Sequence, residues 1–269
     1  MSRFPLFLAG RLLGSISPGL AASLARHLAT RPMRRSRRPD PAGAVPVTFR
    51  FGLAGLRWGH RGPKVLALHG WEGRAAQFNA LGQHLAAHGF QLVALDGPGH
   101  GRSPGRDADP VLFADALQEA ATELGPLHAV VGHSMGGASA LLALSRGLDA
   151  GITVALAAPA GFAGVLDRMS HALGLPVPAR RRFFEAMGLR TGLSPEALDI
   201  DVLAPALARR PTLVVHDEAD AVIPFEDARR IARATDAELL ATRGLGHSAV
   251  LRDPAVIQHV AGFLSRAAA

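Results

Sequence analysis

One serine of the chain stands in a pattern that suits a catalytic nucleophile. Residues 132–136 read GHSMG, with Ser134 at the centre. An apolar run at 127–131 precedes the motif and an alanine- and leucine-rich stretch at 135–148 follows it, which predicts a strand, a sharp turn and a helix. Such a turn holds the hydroxyl clear of the strand, and the two glycines avoid a collision across it. The amino end of the helix would favour an oxyanion at this point.

Apolar runs and helical stretches alternate from residue 45 onwards. The runs are almost continuously hydrophobic, as in strands buried on both faces of a parallel sheet. They cover residues 65–68, 92–95, 127–131, 152–157 and 213–215, after a hairpin of 47–51 and 53–58. The helical stretches cover residues 75–88, 111–124, 135–148, 225–234 and 254–266. This order predicts an α/β fold with a mostly parallel, doubly wound sheet.

One interval, residues 160–208, interrupts the alternation with helical pieces and no clear strand. We interpret it as a helical cap inserted into the sheet domain, with the arginines at 180–182 mostly on its outer face. Its apolar underside would consist of Leu166, Met169, Leu173, Leu175, Val177, Phe183, Phe184 and Met187.

From residue 45 to residue 269 the sequence resembles the α/β-hydrolase superfamily, in its esterase-like serine branch. Besides the serine motif, residues 68–73 (LHGWEG) resemble the HGxxG loop of that family. The resemblance implies that the backbone N–H groups of Trp71 and Met135 stabilise the oxyanion. Residues 96–103 (DGPGHGRS) are similar to a loop with a structural role, so Asp96, His100 and Ser103 are not taken as catalytic.

The resemblance also identifies the general base among twelve histidines. His247 lies in a glycine-flanked loop, after the apolar run 238–241 and before the last helix, where the family has its catalytic histidine. His69 and His133 lie in motif loops, where histidines usually hold the backbone by hydrogen bonds. His84 and His88 belong to a predicted surface helix.

The acid that orients the histidine is expected at Asp220. Residues 216–224 (HDEADAVIP) resemble the family pattern HGxxDxxxP, which places the acid at this position. Asp217 stands where a glycine is more usual, so three acids lie close together, and Asp217 or Glu218 remain alternatives. The other position at which the family can carry its acid, residues 157–161, contains no carboxylate.

These residues predict a serine hydrolase that cleaves carboxylic esters of small molecules through an acyl-enzyme. A serine at the turn excludes the epoxide hydrolases and haloalkane dehalogenases of this fold, which use aspartate there. Thioesterases, lactonases, C–C bond hydrolases and acyltransferases share the same triad and stay open. A non-catalytic binding protein on the same fold is a less favoured alternative. The cap predicts a mostly apolar pocket of limited size, which favours short- or medium-chain acyl esters over long ones.

Composition restricts the other classes of function. The chain has no cysteine, which excludes disulfides and thiolate metal sites and fits a cytoplasmic protein. Its histidines lack the spacing of a helical zinc site, so we expect no metal and no other cofactor. Residues 1–43 contain eight arginines and one aspartate, which equals the net charge of +7 of the whole chain. The catalytic body is therefore neutral, and nucleic-acid binding is not expected.

Residues 1–43 form an N-terminal segment distinct from the hydrolase domain of residues 44–269. Apolar residues recur there at steps of three or four, which predicts two short amphipathic helices divided near Pro18. They are Leu6, Ala9, Leu13, Ile16, Leu20, Leu24 and Leu28. Arg11 and Pro18 disfavour a membrane-spanning helix, and no secretory cleavage site follows. Either residues 4–38 contact an anionic membrane peripherally, or, as is more common, the helices pack on the body or on another subunit.

Overall fold

A single mixed sheet forms the centre of the computed structural model, which describes residues 4–33, 39–207 and 210–266. The strands are β1 Val45–Thr48, β2 Ala54–Trp58, β3 Lys64–Leu68, β4 Gln91–Leu95, β5 Leu127–His133, β6 Ala150–Leu156, β7 Thr212–Asp217 and β8 Glu238–Thr242. The helices are α1 Phe4–Ile16, α2 Pro18–Thr30, α3 Asn79–Ala87, α4 Pro110–Leu124, α5 Met135–Ser145, α6 Phe162–Ala172, α7 Val177–Thr191, α8 Ile200–Leu207, α9 Phe225–Thr235, α10 Gly246–Ala249 and α11 Pro254–Arg266.

The eight strands lie in the order β1-β2-β4-β3-β5-β6-β7-β8. All neighbours from β4 to β8 are parallel, whereas β1–β2 and β2–β4 are antiparallel. This arrangement confirms the predicted fold class. The first strand ends at Thr48, earlier than expected, because a 3₁₀ turn with Phe51 at φ +58° makes the connection to β2.

Two apolar layers enclose the sheet and explain the continuous hydrophobicity of its central strands. Successive residues of a strand point to opposite faces. Val130 of β5 accordingly packs in the layer formed with α4, α5 and α9, and Val131 packs in the layer formed with α3 and α11. Because both neighbours are fully buried, neither position tolerates a polar side chain.

Helices α6, α7 and α8 lie between β6 and β7, in the interval predicted as a cap. A third apolar cluster joins α6 and α7 to α2 through Leu166, Phe183 and Met187 on one side and Ala22 and Ala25 on the other. Residue 208, the predicted end of the interval, lies outside the described residues.

One residue of the predicted apolar underside lies at the surface instead. Val177 was expected on the apolar underside but is 78% exposed, because it begins α7 at the molecular surface. The side chain of Arg181 is largely exposed and that of Arg180 is partly covered beside Asp167.

The N-terminal helices pack on the body by their small residues. A Cβ atom added at Gly10 would lie 1.9 Å from the carbonyl oxygen of Leu173, and one at Gly14 would lie 2.4 Å from Pro176. The periodic leucines therefore point mostly away from the body. Residues 34–38, which contain four of the eight arginines of the N-terminal segment, lie outside the described residues. None of the helices in the described ranges is long and apolar enough to cross a membrane.

Candidate active site

The turn after β5 holds Ser134 in a strained conformation. Its φ of +54° and ψ of −123° lie in a region that side chains rarely adopt. A Cβ atom at Gly132 would lie 2.4 Å from the carbonyl oxygen of Gly136, across the turn, as the sequence predicts. At Gly136 the obstacle is different, because a Cβ there would lie 2.2 Å from the carbonyl oxygen of Leu68 at the end of β3.

Three side chains that are distant in sequence meet beside this turn. The Nε2 atom of His247 lies 3.0 Å from the Oγ atom of Ser134. The Nδ1 atom of His247 lies 2.8 Å from the Oδ2 atom of Asp220. His247 is carried by the short helix α10, and Asp220 by the loop after β7. The structure thus brings the predicted serine, histidine and acid into one hydrogen-bonded chain.

Asp220 is buried and receives several hydrogen bonds. Its Oδ1 atom accepts the backbone N–H groups of Val222 at 2.7 Å and Ile223 at 3.0 Å. The Nε2 atom of His216 lies 3.3 Å from Oδ2. Burial raises the pKa of the Asp220 carboxyl, but the hydrogen bonds from His216, His247 and these N–H groups outweigh it and hold the pKa well below its usual range. An ionised Asp220 keeps the proton of His247 on Nδ1, which leaves Nε2 free to accept one from the serine.

The two neighbouring acids contact other groups. The buried carboxylate of Asp217 accepts hydrogen bonds from the hydroxyl of Thr242 at 2.8 Å and the backbone N–H of Leu245 at 2.9 Å. Burial raises the pKa of Asp217, and hydrogen bonds led by that of Leu245 lower it below its usual value. Glu218 pairs at 2.8 Å with Arg243, whose side chain is 84% exposed. Of the three acids, Asp220 is the one beside His247.

The loop after β3 runs directly alongside the serine. A Cβ atom at Gly70 would lie 2.7 Å from the Cβ of Ser134. Trp71 and Met135, the predicted oxyanion donors, line the same cavity as the serine. Their position beside Ser134 is compatible with the role that the resemblance implies.

Two buried histidines hold this loop against the loop after β4. His69 donates from Nδ1 to the carbonyl of Gly70 at 2.6 Å and accepts the N–H of Gly97 on Nε2 at 2.9 Å. His100 accepts the N–H of Glu72 on Nε2 at 3.0 Å. Burial, with the nearby His100, lowers the pKa of His69 to about 3, so its ring stays neutral and can accept.

Asp96 and Ser103, in the loop after β4, accept hydrogen bonds from backbone N–H groups. The carboxylate of Asp96 accepts the N–H groups of Ala75 at 2.8 Å and Arg102 at 2.9 Å, and Ser103 accepts that of Ala54 at 2.9 Å. These contacts agree with the structural role expected for that loop.

His133 supports His247 from the other side of the serine. Its Nε2 atom lies 2.9 Å from the backbone carbonyl of His247, to which it donates. Burial lowers the pKa of His133 to about 4, so the ring is neutral at pH 7. His84 and His88, by contrast, stack on each other at a surface helix, with ring centroids 4.3 Å apart.

An apolar cavity of about 290 Å³ opens beside Ser134. Leu142 of α5, with Leu166 and Met169 of α6, forms part of its wall. Leu28 and Ala29 of α2 line it as well, a contribution that the sequence analysis missed. Helical periodicity marks Leu28 only as part of an amphipathic stripe and does not mark Ala29, so no sequence signal connects them with the serine.

A metal centre is not evident in the part of the chain that the structure describes. No group of three or more histidine, aspartate or glutamate side chains there is arranged to hold an ion.

Comparison with known proteins agrees with this architecture. Residues 65–258 match the family model described as the alpha/beta hydrolase family, which is well over half of the chain. The chain belongs to the α/β-hydrolase family. The resemblance stated from the sequence motifs is thereby confirmed.

Named relatives of this α/β hydrolase are similar over parts of their length. A serine hydrolase-like protein of Danio rerio is 36% identical over 122 residues, which are 42% of this chain and 35% of that protein. A monoacylglycerol lipase of Mycolicibacterium smegmatis is 28% identical over 61% of this chain and 56% of its own. The chain therefore matches a third to a little over half of these relatives.

Solved structures share the fold over almost the whole chain. A lipase structure from Acinetobacter baumannii superposes with a TM-score of 0.65 and 18% identity, covering 94% of this chain and 97% of that one. At this identity the likeness concerns the fold alone.

Proposed function

We propose that this α/β hydrolase cleaves carboxylic esters of small molecules by a Ser-His-Asp triad, through an acyl-enzyme. The observation that carries the proposal is the continuous hydrogen-bonded chain from Ser134 to His247 to Asp220, at 3.0 and 2.8 Å. Hydroxyl, imidazole and buried carboxylate in this order form the arrangement that activates a serine for attack on a carbonyl carbon.

The proposed reaction begins with proton transfer from Ser134 Oγ to His247 Nε2 as the oxygen attacks the ester carbonyl. The N–H groups of Trp71 and Met135 stabilise the tetrahedral oxyanion, each by about 3 kcal/mol in comparable sites. The ionised Asp220 stabilises the imidazolium of His247. That imidazolium then protonates the departing alcohol, which leaves the acyl group on the serine.

Hydrolysis of the acyl-enzyme uses the same groups in reverse. His247 takes a proton from a water molecule that attacks the acyl carbon, and returns it to Ser134 as the carboxylic acid leaves. Every proton in this sequence moves between serine, histidine, water and substrate, so the proposed mechanism requires no cofactor.

The cavity supports an acyl group as the part of the substrate that the protein encloses. Its walls are apolar, and at about 290 Å³ it lies near the lower end of the range for small-molecule sites. We therefore expect acetyl to hexanoyl esters to react faster than long-chain ones. A series of p-nitrophenyl esters of increasing acyl length measures this preference, and a rate maximum at long chains would contradict it.

Covalent labelling tests the proposed nucleophile. A fluorophosphonate probe should label the wild-type protein and not Ser134→Ala, and mass spectrometry should locate the label on residue 134. Ser145→Ala is the matched control, because this serine of α5 only donates to the carbonyl of Leu142 and should not affect labelling. Folded wild-type protein that takes up no label would favour the alternative of a non-catalytic binding protein.

Substrate comparison separates ester hydrolysis from reactions with the same triad. Matched acyl esters, thioesters and lactones should give the highest kcat/KM for the esters. A thioester or lactone preference of tenfold or more would retain the triad but replace the proposed substrate class.

A further inference from the structure

Helices α1 and α2 present a surface of large apolar side chains to solvent. About half of the exposed large hydrophobic residues in the described ranges lie in these two helices. We call this set the leucine-rich surface: Leu6, Leu8, Leu12, Ile16, Leu20 and Leu24. The side chain of Ile16 is 75% exposed and that of Leu12 66%. Contiguous exposed apolar area of this kind marks an interaction site in a folded protein.

Within the described residues the body contacts the opposite faces of the two helices and leaves the leucine-rich surface exposed. Leu8, Leu12 and Ile16 recur at steps of four and therefore share one side of α1. Gly10 and Gly14 lie on the other side of α1, where there is no room for a Cβ atom beside Leu173 and Pro176. In α2 the contact with α6 and α7 is made by Ala22 and Ala25.

One groove joins apolar side chains of the two helices. Leu6 of α1 and Leu24 of α2 line it, together with Leu13 and Leu28. Apolar residues of both helices can therefore contact one and the same apolar partner.

The N-terminal segment that carries this surface has charge of one sign. The sequence contains no aspartate or glutamate before Asp40, whereas residues 1–39 contain eight arginines. Arg11 is exposed on α1, and Arg26 is half-buried on α2. An exposed leucine-rich surface on a segment that carries arginine and no acid is the combination that lies in the interface of an anionic bilayer.

The carboxyl end of α2 reaches the candidate active site. Leu28 and Ala29 line the cavity beside Ser134, and the carbonyl of Thr30 accepts the N–H of Ala108 at 2.7 Å. One of the two helices that carry the leucine-rich surface therefore also forms part of the cavity wall.

We propose that the leucine-rich surface docks on an anionic lipid membrane. A second copy of the chain fits less well, because a symmetric dimer through this surface would bring two segments of the same positive charge together at one interface. The docking depends on side chains outside the triad and does not rest on the proposed function.

Vesicle sedimentation tests the docking directly. Wild-type protein should bind vesicles of phosphatidylcholine and phosphatidylglycerol in a 7:3 ratio, and binding should weaken in 0.5 M salt because screening removes the charge contribution. Binding to pure phosphatidylcholine should be at least tenfold weaker. The double variant Leu12→Ser/Leu20→Ser should lower the partition coefficient at least about 30-fold, since two large apolar groups are lost from the bilayer.

A matched control separates this surface from general hydrophobicity. Val45→Ser/Val202→Ser changes two residues exposed to 48% and 59% outside α1 and α2, and should bind vesicles as the wild type does. Both double variants should keep the wild-type melting temperature and hydrolysis of soluble p-nitrophenyl acetate. If the wild-type protein binds vesicles but does not hydrolyse p-nitrophenyl acetate, the proposed function is refuted and the docking proposal is not.

Three results would overturn the docking proposal. The first is wild-type protein that stays in the supernatant with anionic vesicles. The second is equal vesicle binding by the wild type and Leu12→Ser/Leu20→Ser. The third is a dimer in sedimentation equilibrium that the same variant dissociates, because a second copy would then cover the surface.

Discussion

The buried carboxylate of Asp217 connects the loop after β7 with the loop that carries His247. It accepts the hydroxyl of Thr242 and the N–H of Leu245, two residues before the histidine. We predict that Asp217→Asn destabilises the fold and lowers activity, although residue 217 does not contact the serine or the histidine. The substitution retains the volume but replaces one acceptor oxygen by an NH2 group. Oδ2 accepts both of these bonds and Oδ1 accepts the N–H of Ala219 at 3.0 Å, so an amide oxygen at the Oδ2 position leaves the NH2 group facing that N–H.

The magnitude follows from the lost hydrogen bonds. Each bond to a buried ionised group contributes about 1.5 to 3 kcal/mol. The bond from Ala219 is lost and the bonds from Thr242 and Leu245 lose the charge of their acceptor, so we expect a loss of about 3 kcal/mol in the free energy of unfolding. If the same energy holds His247 in place, kcat/KM falls about 100-fold, since 1.36 kcal/mol corresponds to tenfold. Thr242→Val removes one bond and should lose about half as much stability.

Urea denaturation and kinetics with p-nitrophenyl acetate measure both effects. Glu218→Gln is the matched control, because its neighbouring carboxylate pairs with an exposed arginine and should change stability by no more than about 0.5 kcal/mol. The reasoning would be refuted if Asp217→Asn unfolded at the wild-type urea concentration and retained wild-type kcat/KM.

The effect of Asp217→Asn should also depend on pH in a defined direction. The pKa of Asp217 lies below its usual value in the folded protein. Its stabilisation is therefore complete above the pKa of the unfolded chain, near 4, and is lost as the pH falls through the folded pKa. The stability difference between wild type and variant should be constant from pH 6 to 8 and shrink in acid. A difference that grew in acid would show that the charge is not responsible.

Three further perturbations test other parts of the site. Burial holds the pKa of His69 at about 3 and that of His133 at about 4, so below pH 6.5 the unfolded chain binds protons that the folded chain does not. Stability should therefore fall between pH 7 and pH 5 by up to about 2 kcal/mol per histidine, measured by urea unfolding; an unchanged value would contradict the burial argument. Gly136→Ala forces a Cβ to within 2.2 Å of a carbonyl oxygen and should lower stability by about 2 kcal/mol and abolish activity. Gly262→Ala, with its nearest contact at 3.7 Å, should instead raise the melting temperature slightly. Ala138→Leu fills part of the cavity and should lower the hexanoate-to-acetate ratio of kcat/KM about tenfold; an unchanged ratio would place the acyl chain elsewhere.

The sheet could be predicted from sequence because burial on both faces leaves a strong local signal. The runs at 65–68, 92–95 and 213–215 contain almost no polar residue, and each lies within a central strand. The edge strand β8, whose residues are half-buried or exposed, has a weaker pattern, which indicates only an apolar run before the histidine loop. Sequence periodicity is thus most informative where both faces of a strand are covered.

The packing of the N-terminal helices could not be predicted in the same way. Periodicity identified a leucine stripe, and the usual inference is that such a stripe faces the core. Here Ala22 and Ala25 face the body, because small residues let two helices approach closely. The leucines of the stripe lie mostly outside. The spacing of apolar residues along a helix gives the direction of the large side chains and does not indicate which face is in contact.

The position of His247 shows why the candidate site needs more than its three reactive side chains. His133, one residue before the serine, donates to the backbone carbonyl of His247, and Asp217 holds Leu245 in the same loop. These contacts come from the ends of β5 and β7, which carry Ser134 and Asp220 as well. Because parallel strands end at the same edge of the sheet, one rigid edge supports both the reacting groups and the bonds that hold the histidine between them. Loss of either backbone contact should therefore misplace the histidine while the strands that carry its two partners remain intact.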